Sequence, residues 1–408
     1  MEEQEKKIRR RGRRAVPAEY RRKRSAKKPL LIVGILLLCA IAIFVAVLWQ
    51  KHKAEQEAQA TPPPPDKVIH VVAGGNINIT DESVAAGQTA TGYDYAPIFK
   101  DVLPVLASAD VTMLNFEGVL GGNSYGTNTK YAPPELLTAL KNAGVDVLQT
   151  ANSYSIYDGP RGLKSTIQGI QGAGMTPLGT FLSKEDFEQS GGYVIWEVKG
   201  IKIAMMAFTK GMVDGAGLPA VSENCVNLLY EDYMSTFQKV DTEGITKIVR
   251  NAAAHDPDIM IAMVHWGSEA SKEPSKSQQK ICTLLHDEGV DAIIGTHPNL
   301  VQGMEYTPLS GNFVAWSLGD LFDTMSDNYS VLLDLEITQD GATGKTKVTG
   351  FDYVPVYLEK GADGAMRLLR IEEALSAYEN QYLDRVSEET YNAMKTALVQ
   401  LQKRIGVK

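Results

Sequence analysis

Three short apolar runs, 259–264, 291–294 and 313–316, recur within residues 258–320, and each is followed at once by a polar cluster. The clusters are His265-Trp266-Gly267-Ser268-Glu269, Gly295-Thr296-His297-Pro298-Asn299 and Ser317-Leu318-Gly319-Asp320. Strands that end abruptly in Gly, His and carboxylate place those side chains at the carboxyl edge of an open α/β sheet, the edge where such sheets bind ligands. That punctuation restricts the chain to buried strands delivering polar groups to one place.

The upstream chain supplies more strand ends. A strand over 68–73 runs into Gly74-Gly75-Asn76, one over 111–114 delivers Asn115-Phe116-Glu117, and one over 145–150 delivers Ala151-Asn152-Ser153-Tyr154, with Asp158 just beyond. Helices are expected over 95–107, 134–143, 163–173 and 242–254, with Gly144 and Gly174 closing the second and third. Residues 192–209 read as a hairpin turning at Lys199-Gly200, and 210–240 as a loop or lid. After Asp320, strands over 329–337 and 346–355 suggest a second, antiparallel sheet, and 367–405 reads as helix. The alternation of strand and helix specifies a layered α/β fold.

Composition bears on partners and placement. Of 41 Lys and Arg, 13 fall in residues 1–28 with four acids, which leaves 28 basic against 45 acidic residues, a balance of −17. The folded part is therefore acidic, which argues against nucleic acid as a partner. Residues 30–49 carry no charge and no Pro, and twenty helical residues span about 30 Å, the hydrocarbon thickness of a bilayer. With a basic tail at 1–29 and Trp49 at the far end, the reading is a single-pass anchor in the cell membrane, amino terminus cytoplasmic and carboxyl-terminal domain extracellular. A cleaved signal peptide is the alternative, but the run is long and no small-x-small site follows it. Residues 50–66 form a Pro-rich linker, 67–360 the globular domain and 361–408 a helical segment. Cys39 lies in the span, and Cys225 and Cys282 read as isolated thiols, although one bridge between them is compatible with the sequence.

The order GGNINI, ADVTMLNFEG, ALKNAGVDVLQTANSYSIYDG, MVHWGSE, IIGTHPNLVQG and FVAWSLGD resembles the CapA family, poly-γ-glutamate capsule biosynthesis proteins. The resemblance runs from about Val68 to Pro355. It implies a four-layer calcineurin-like metallophosphoesterase sandwich, two packed mixed sheets flanked by helices, following the transmembrane helix. It also implies a metal-type site holding Glu117, His265, His297, Asn76 and Asn152, with His265 and His297 as catalytic candidates. Ser153, Tyr154, Trp266, Glu269, Asn299 and Asp320 are expected to line it.

The chain departs from that pattern where ligands are expected. Asn76 stands in place of an Asp, Tyr154 in place of a His, and Asn299 in place of a His. Two dications about 3.5 Å apart need anionic ligands to offset their repulsion. Asn76 offers a neutral carbonyl oxygen, and Tyr154 a phenol that stays protonated near pH 7. Glu117 is then the sole certain carboxylate, with Asp158, Asp320 and Glu269 as compensators if they point inward. The expectation is at most one divalent ion, Mn, Zn or Mg, on Glu117, His265 and His297. Structural alternatives stand beside these roles: His265 and Trp266 as a packing pair, Glu117 as an acid at a helix start, the three Asn residues as turn-formers.

Two functions remain. One is an assembly or binding component supporting synthesis, export or retention of an anionic polymer such as poly-γ-glutamate within a membrane polymer-synthesis complex. The other is a metal-dependent hydrolase of the calcineurin-like phosphoesterase type, acting on a phosphoester or on the polymer's amide bonds.

Overall fold

The computed structural model describes residues 27–59, 63–126, 128–323, 325–382 and 386–405. Most of the basic tail (1–26) and residues 60–62 of the linker lie outside them. Two compact units are present, Met1–Pro63 and Pro64–Lys408. Among the described residues the first contains one helix, α1 (Lys27–Gln59), whose segment Val33–Lys53 is long and apolar enough to cross a membrane. This helix continues past residue 49, where an extended spacer was expected, because residues 51–59 contain no Gly or Pro to stop it.

The second unit begins with β1 (Lys67–Asn78), α2 (Asp81–Ala86), α3 (Ala96–Phe99), α4 (Leu103–Leu106), β2 (Val111–Glu117), α5 (Pro134–Asn142), β3 (Val147–Gln149), α6 (Gly159–Gly172) and β4 (Thr176–Leu178). Strands β1 to β4 run parallel. The helix expected over 95–107 is two separate turns, since Pro97 and Pro104 each occupy a first-turn position and neither has an N–H to continue a preceding turn.

Next come α7 (Lys184–Ser190), β5 (Tyr193–Val198), β6 (Ile201–Thr209), α8 (Thr242–Ala253), β7 (Ile259–His265), α9 (Lys276–Asp287), β8 (Ala292–Thr296), β9 (Met304–Thr307) and β10 (Asn312–Ala315). Lys199 and Gly200, both at positive φ, make the tight β5–β6 hairpin turn. These strands form the second sheet in the order β5-β6-β7-β8-β10-β9, with β6, β7, β8 and β10 parallel.

The chain then returns to the first sheet through β11 (Asp320–Phe322), β12 (Tyr329–Gln339), β13 (Thr346–Lys360) and β14 (Met366–Arg370), before α10 (Ile371–Glu379) and α11 (Glu388–Ile405). The first sheet has the order β14-β13-β12-β1-β2-β3-β4, with β11 beside β1. Two expectations are corrected here. The 329–355 strands are not a separate sheet, because β12 pairs antiparallel with β1. The tail opens with a strand rather than a helix, since β14 pairs with the edge of β13 and buries Met366 and Leu368.

Period-2 alternation produces the layers. Ile201, Ile203, Met205 and Ala207 of β6 join Ile69, Val71, Val111 and Met113 of the first sheet in the core between the sheets. The intervening Ala204, Met206 and Phe208 pack outward with Ile245 and Val249 of α8 and Ile281 and Leu285 of α9. On the other side Leu114, Phe116 and Leu148 pack with Leu136 and Leu140 of α5. Strands buried on both faces read as continuous apolar runs, which is why these segments lack polar alternation. The result is the expected α/β arrangement, two mixed sheets packed face to face between helices.

A repeated device fixes the parallel strands at their entry. Asp110, Asp146, Asp258 and Asp291 precede β2, β3, β7 and β8. Each carboxylate accepts the N–H of a residue on the neighbouring strand, His70, Thr112, Lys202 and Met260 in turn. Each Asp N–H donates back to the carbonyl of that same residue. The pair of bonds clamps one register.

Candidate metal centre

The parallel strands of both sheets deliver their ends to one crevice. Asn76 lies in β1, Glu117 closes β2, Asn152 follows β3, His265 closes β7, and His297 follows β8. All five are buried. Close approach of β1 to the Leu318-Gly319 segment depends on Gly75, where a Cβ would sit 1.8 Å from the Gly319 oxygen. Asn76 N–H donates to that oxygen at 2.9 Å.

A hydrogen-bonded chain crosses the crevice. Asn152 Nδ2 donates to Asn115 Oδ1 (3.2 Å) and to the Phe116 carbonyl (2.7 Å). Asn115 Nδ2 in turn donates to Asn76 Oδ1 and Glu117 Oε1, both at 2.9 Å. Asn76 Oδ1 also accepts the His297 N–H at 3.2 Å, and Asn76 Nδ2 donates to Asp320 Oδ1 at 2.8 Å. The three amides are therefore occupied in orienting Glu117 and His297, as buried polar groups require. His297 has φ 86°, a left-handed conformation that a non-Gly residue adopts only when its surroundings hold it there.

His265 Nε2 is 3.2 Å from Glu117 Oε1, and its Nδ1 is 3.1 Å from Thr209 Oγ1. The His265 and His297 rings lie 4.4 Å apart. Donor atoms of Glu117, His265 and His297 all fall within 4.8 Å of one another. Bonds of about 2.1 Å to a tetrahedral ion separate its ligands by roughly 3.4 Å, so one divalent ion fits this trio with small adjustments.

Among the described residues, no second carboxylate joins this trio to hold another ion. Asp320 is spent on Asn76 and on the Met325 N–H at 2.8 Å, and burial pushes its carboxyl up to about 7. Asp158 pairs with Arg161 at 2.6 Å. Glu269 is exposed at the mouth, where its charge supports Lys130 and Lys210. Among the described residues, Glu117 alone brings a carboxylate to the donor group. Burial raises the Glu117 pKa, opposed by His297 and Lys130, and it lowers His265 and His297, both further lowered by the Lys210 ammonium. The imidazoles are thus held neutral, the form that ligates metal.

The remaining expected residues divide. Ser153 accepts the Val213 N–H with its carbonyl at 2.9 Å, and Tyr154 N–H donates to Asn152 Oδ1 at 2.9 Å. The Tyr154 ring lies under Lys130 Nζ at 4.5 Å, on the wall of an adjoining groove of about 670 Å³ with Tyr157, Asp214, Asp323 and Lys360. Asn299 uses its N–H on the Glu269 carbonyl at 2.8 Å. Trp266 is a correction: it does not line the crevice. Successive residues at a strand end face opposite ways, so its ring packs in the outer layer against Trp316 at 5.5 Å, with Nε1 donating to the Trp316 carbonyl.

Four residues at the crevice have no site role assigned from the sequence. Lys210 places Nζ 3.0 Å from His297 Nε2 and 3.0 Å from the Gly267 carbonyl. Its signal was present: it follows β6 directly, as His297 follows β8. Thr209 and Asn115 orient the ligands. Gln149, buried at the end of β3, ties the sheets together, accepting Thr296 Oγ1–H at 2.9 Å and donating to the Phe208 carbonyl at 3.4 Å.

Comparisons with known proteins find several similar chains. The PGA biosynthesis protein CapA of Bacillus subtilis is 27% identical over 266 residues, covering 62% of this chain and 64% of that one. The capsule biosynthesis protein CapA of Bacillus anthracis is 24% identical over 350 residues, covering 83% and 79%. Among solved structures, a calcineurin-like phosphoesterase, YfkN from Bacillus subtilis, gives a looser likeness, with 15% identity and a TM-score of 0.43 over 83% of this chain and 98% of that one. The model of a family described as "Bacterial capsule synthesis protein PGA_cap" matches residues 70–325, more than half of the chain, and the protein belongs to that family.

Proposed function

We propose that the protein is a membrane-anchored component of the cell surface that supports synthesis, export or retention of a capsular polymer such as poly-γ-glutamate, with its crevice serving as a binding groove that holds at most one divalent ion. The observation carrying this reading is the crevice inventory: one carboxylate, two neutral imidazoles and a neutral amide at Asn76. That set is too poor in negative charge for a dinuclear hydrolytic centre. In this reading α1 is a single-pass anchor with the amino terminus cytoplasmic, the Pro64–Lys408 unit is extracellular, and the partners are the bilayer, a membrane synthesis complex and the anionic polymer. The acidic balance of the folded part argues against nucleic acid and calls for bridging cations in any contact with a polyanion.

The second reading, a hydrolase of a phosphoester or of the polymer's amide bonds, is favoured by the compactness of the Glu117, His265 and His297 donor group. Complementation separates the two. In cells lacking the gene, the full chain is expected to restore surface polymer, and the purified chain to show no Mn-, Zn- or Mg-dependent turnover of a phosphoester or of the polymer. Loss of complementation by His265→Ala, together with Mn-, Zn- or Mg-dependent turnover that this variant lacks, would overturn the binding role.

A further inference from the structure

The donor group already faces a cation. Lys210 is fixed at both ends: its N–H donates to the His265 carbonyl at 2.8 Å, and its ammonium reaches His297 Nε2 and the Gly267 carbonyl, each at 3.0 Å. Phe237 covers the side chain, with Nζ 5.2 Å from the ring centroid. Lys360, at the rim of the neighbouring groove, is paired with Glu82 and Asp323. Among the described residues Lys210 has no such carboxylate partner. Its charge instead bears on Glu117, His265 and His297 together.

An ammonium has three donors and no acceptor. At 3.0 Å from His297 Nε2 it therefore uses that atom's lone pair, and the ring proton resides on Nδ1. Nε2 has one lone pair, so it serves either the ammonium or a metal ion. Removing the lysine charge also removes repulsion of an incoming dication a few ångströms away, in a site screened from water.

We propose that Lys210 is a built-in cation of this crevice and sets its affinity for a divalent ion, which binds only by taking His297 Nε2 from the ammonium. The inference rests on the one-ion reading above, and the same titration distinguishes failure of the two. Mn²⁺ is titrated into the full-length chain in detergent and into Lys210→Met, Lys210→Arg and His265→Ala. Lys210→Met, which keeps the side-chain length and loses the charge, is expected to bind one Mn²⁺ at least tenfold tighter than the wild type. Lys210→Arg, which keeps the charge, is expected to bind no tighter than the wild type. If Lys210→Met melts below the wild type, Lys210→Gln provides the same comparison. Wild-type binding that is lost in His265→Ala but unchanged in both neutral Lys210 variants would overturn the lysine role and leave the one-ion site standing. Absence of Mn²⁺ binding in every form would overturn both.

Discussion

Gly74 and Gly75 are adjacent in β1, and the same substitution is expected to have very different effects at the two. Neither has a positive φ, so available space decides the outcome. A Cβ at residue 75 would lie 1.8 Å from the Gly319 oxygen and 2.8 Å from the Gly319 carbon, both backbone atoms. Since real Cβ atoms stay beyond 3.0 Å, one strand must retreat by roughly 1.2 Å. That shift breaks the Asn76 N–H bond to Gly319 and the Asn76 Nδ2 bond to Asp320. These are worth about 1 and about 2 kcal/mol, and forced repacking adds about 1–3 kcal/mol. Gly75→Ala should therefore cost about 4 kcal/mol or more, a large part of a typical domain's stability of about 5–15 kcal/mol. At residue 74 the nearest atoms are methyl groups, Cδ2 of Leu114 at 2.5 Å, of Leu321 at 2.8 Å and of Leu332 at 3.1 Å. Leucine side chains can turn away, and Ala restrains the unfolded chain, so Gly74→Ala should cost about 0–2 kcal/mol. Denaturant unfolding of the full chain in detergent, followed by the fluorescence of buried Trp266 and Trp316, measures both. Equal effects, or a Gly75→Ala loss below about 1 kcal/mol, would refute the claim that the crevice depends on backbone contact between β1 and the Gly319 turn.

Three further outcomes are expected. Trp266→Ala removes a buried outer-layer ring and should cost about 3–5 kcal/mol, while Mn²⁺ affinity of the protein that remains folded stays within about threefold, because the ring faces away from the ligands. Gln149→Leu leaves the Thr296 hydroxyl and the Phe208 carbonyl without their partner between the sheets and should cost about 2–4 kcal/mol in the same unfolding assay. Burial pushes Asp291 up from 3.8 to about 6; a carboxyl raised in the folded state contributes stability below pH ~4 that is lost as pH rises through 6, at about 1.4 kcal/mol per unit. Asp291→Asn, whose amide oxygen still accepts the Met260 N–H, should therefore gain on the wild type by up to about 3 kcal/mol between pH 4 and 7, and a difference independent of pH would refute the titration.

Much of the crevice was legible because strand ends carry a local signal. Glu117, His265 and His297 each stand at or just after the end of an apolar run, and parallel strands bring such ends together without help from distant residues. Lys210 carries the same signal but opens a Gly-rich stretch that reads as a loop, and an ammonium, unlike an acid or an imidazole, is not a metal ligand. Trp266 faces away from the crevice because the period of two puts it and His265 on opposite faces. The 95–107 segment has the apolar residues of one helix, which Pro104 already strains, and with Pro97 as well it forms two separate turns. Helix α9 has a local start signal of its own, since Ser275 and Gln278 form a capping box before its apolar face. Which sheet β12 and β14 join was not readable, since pairing partners far along the chain leave no local trace in alternation.

The four aspartates at the strand entries have a consequence for how such a crevice can diverge. They anchor alignment at the end of the sheets opposite the ligands, so the stagger between strands is settled before the chain reaches the functional end. Segments there can be lengthened, or a neutral residue exchanged for an acid, without any strand sliding past its neighbour. Fidelity of the scaffold and freedom of the chemistry are thereby assigned to opposite poles of the same molecule.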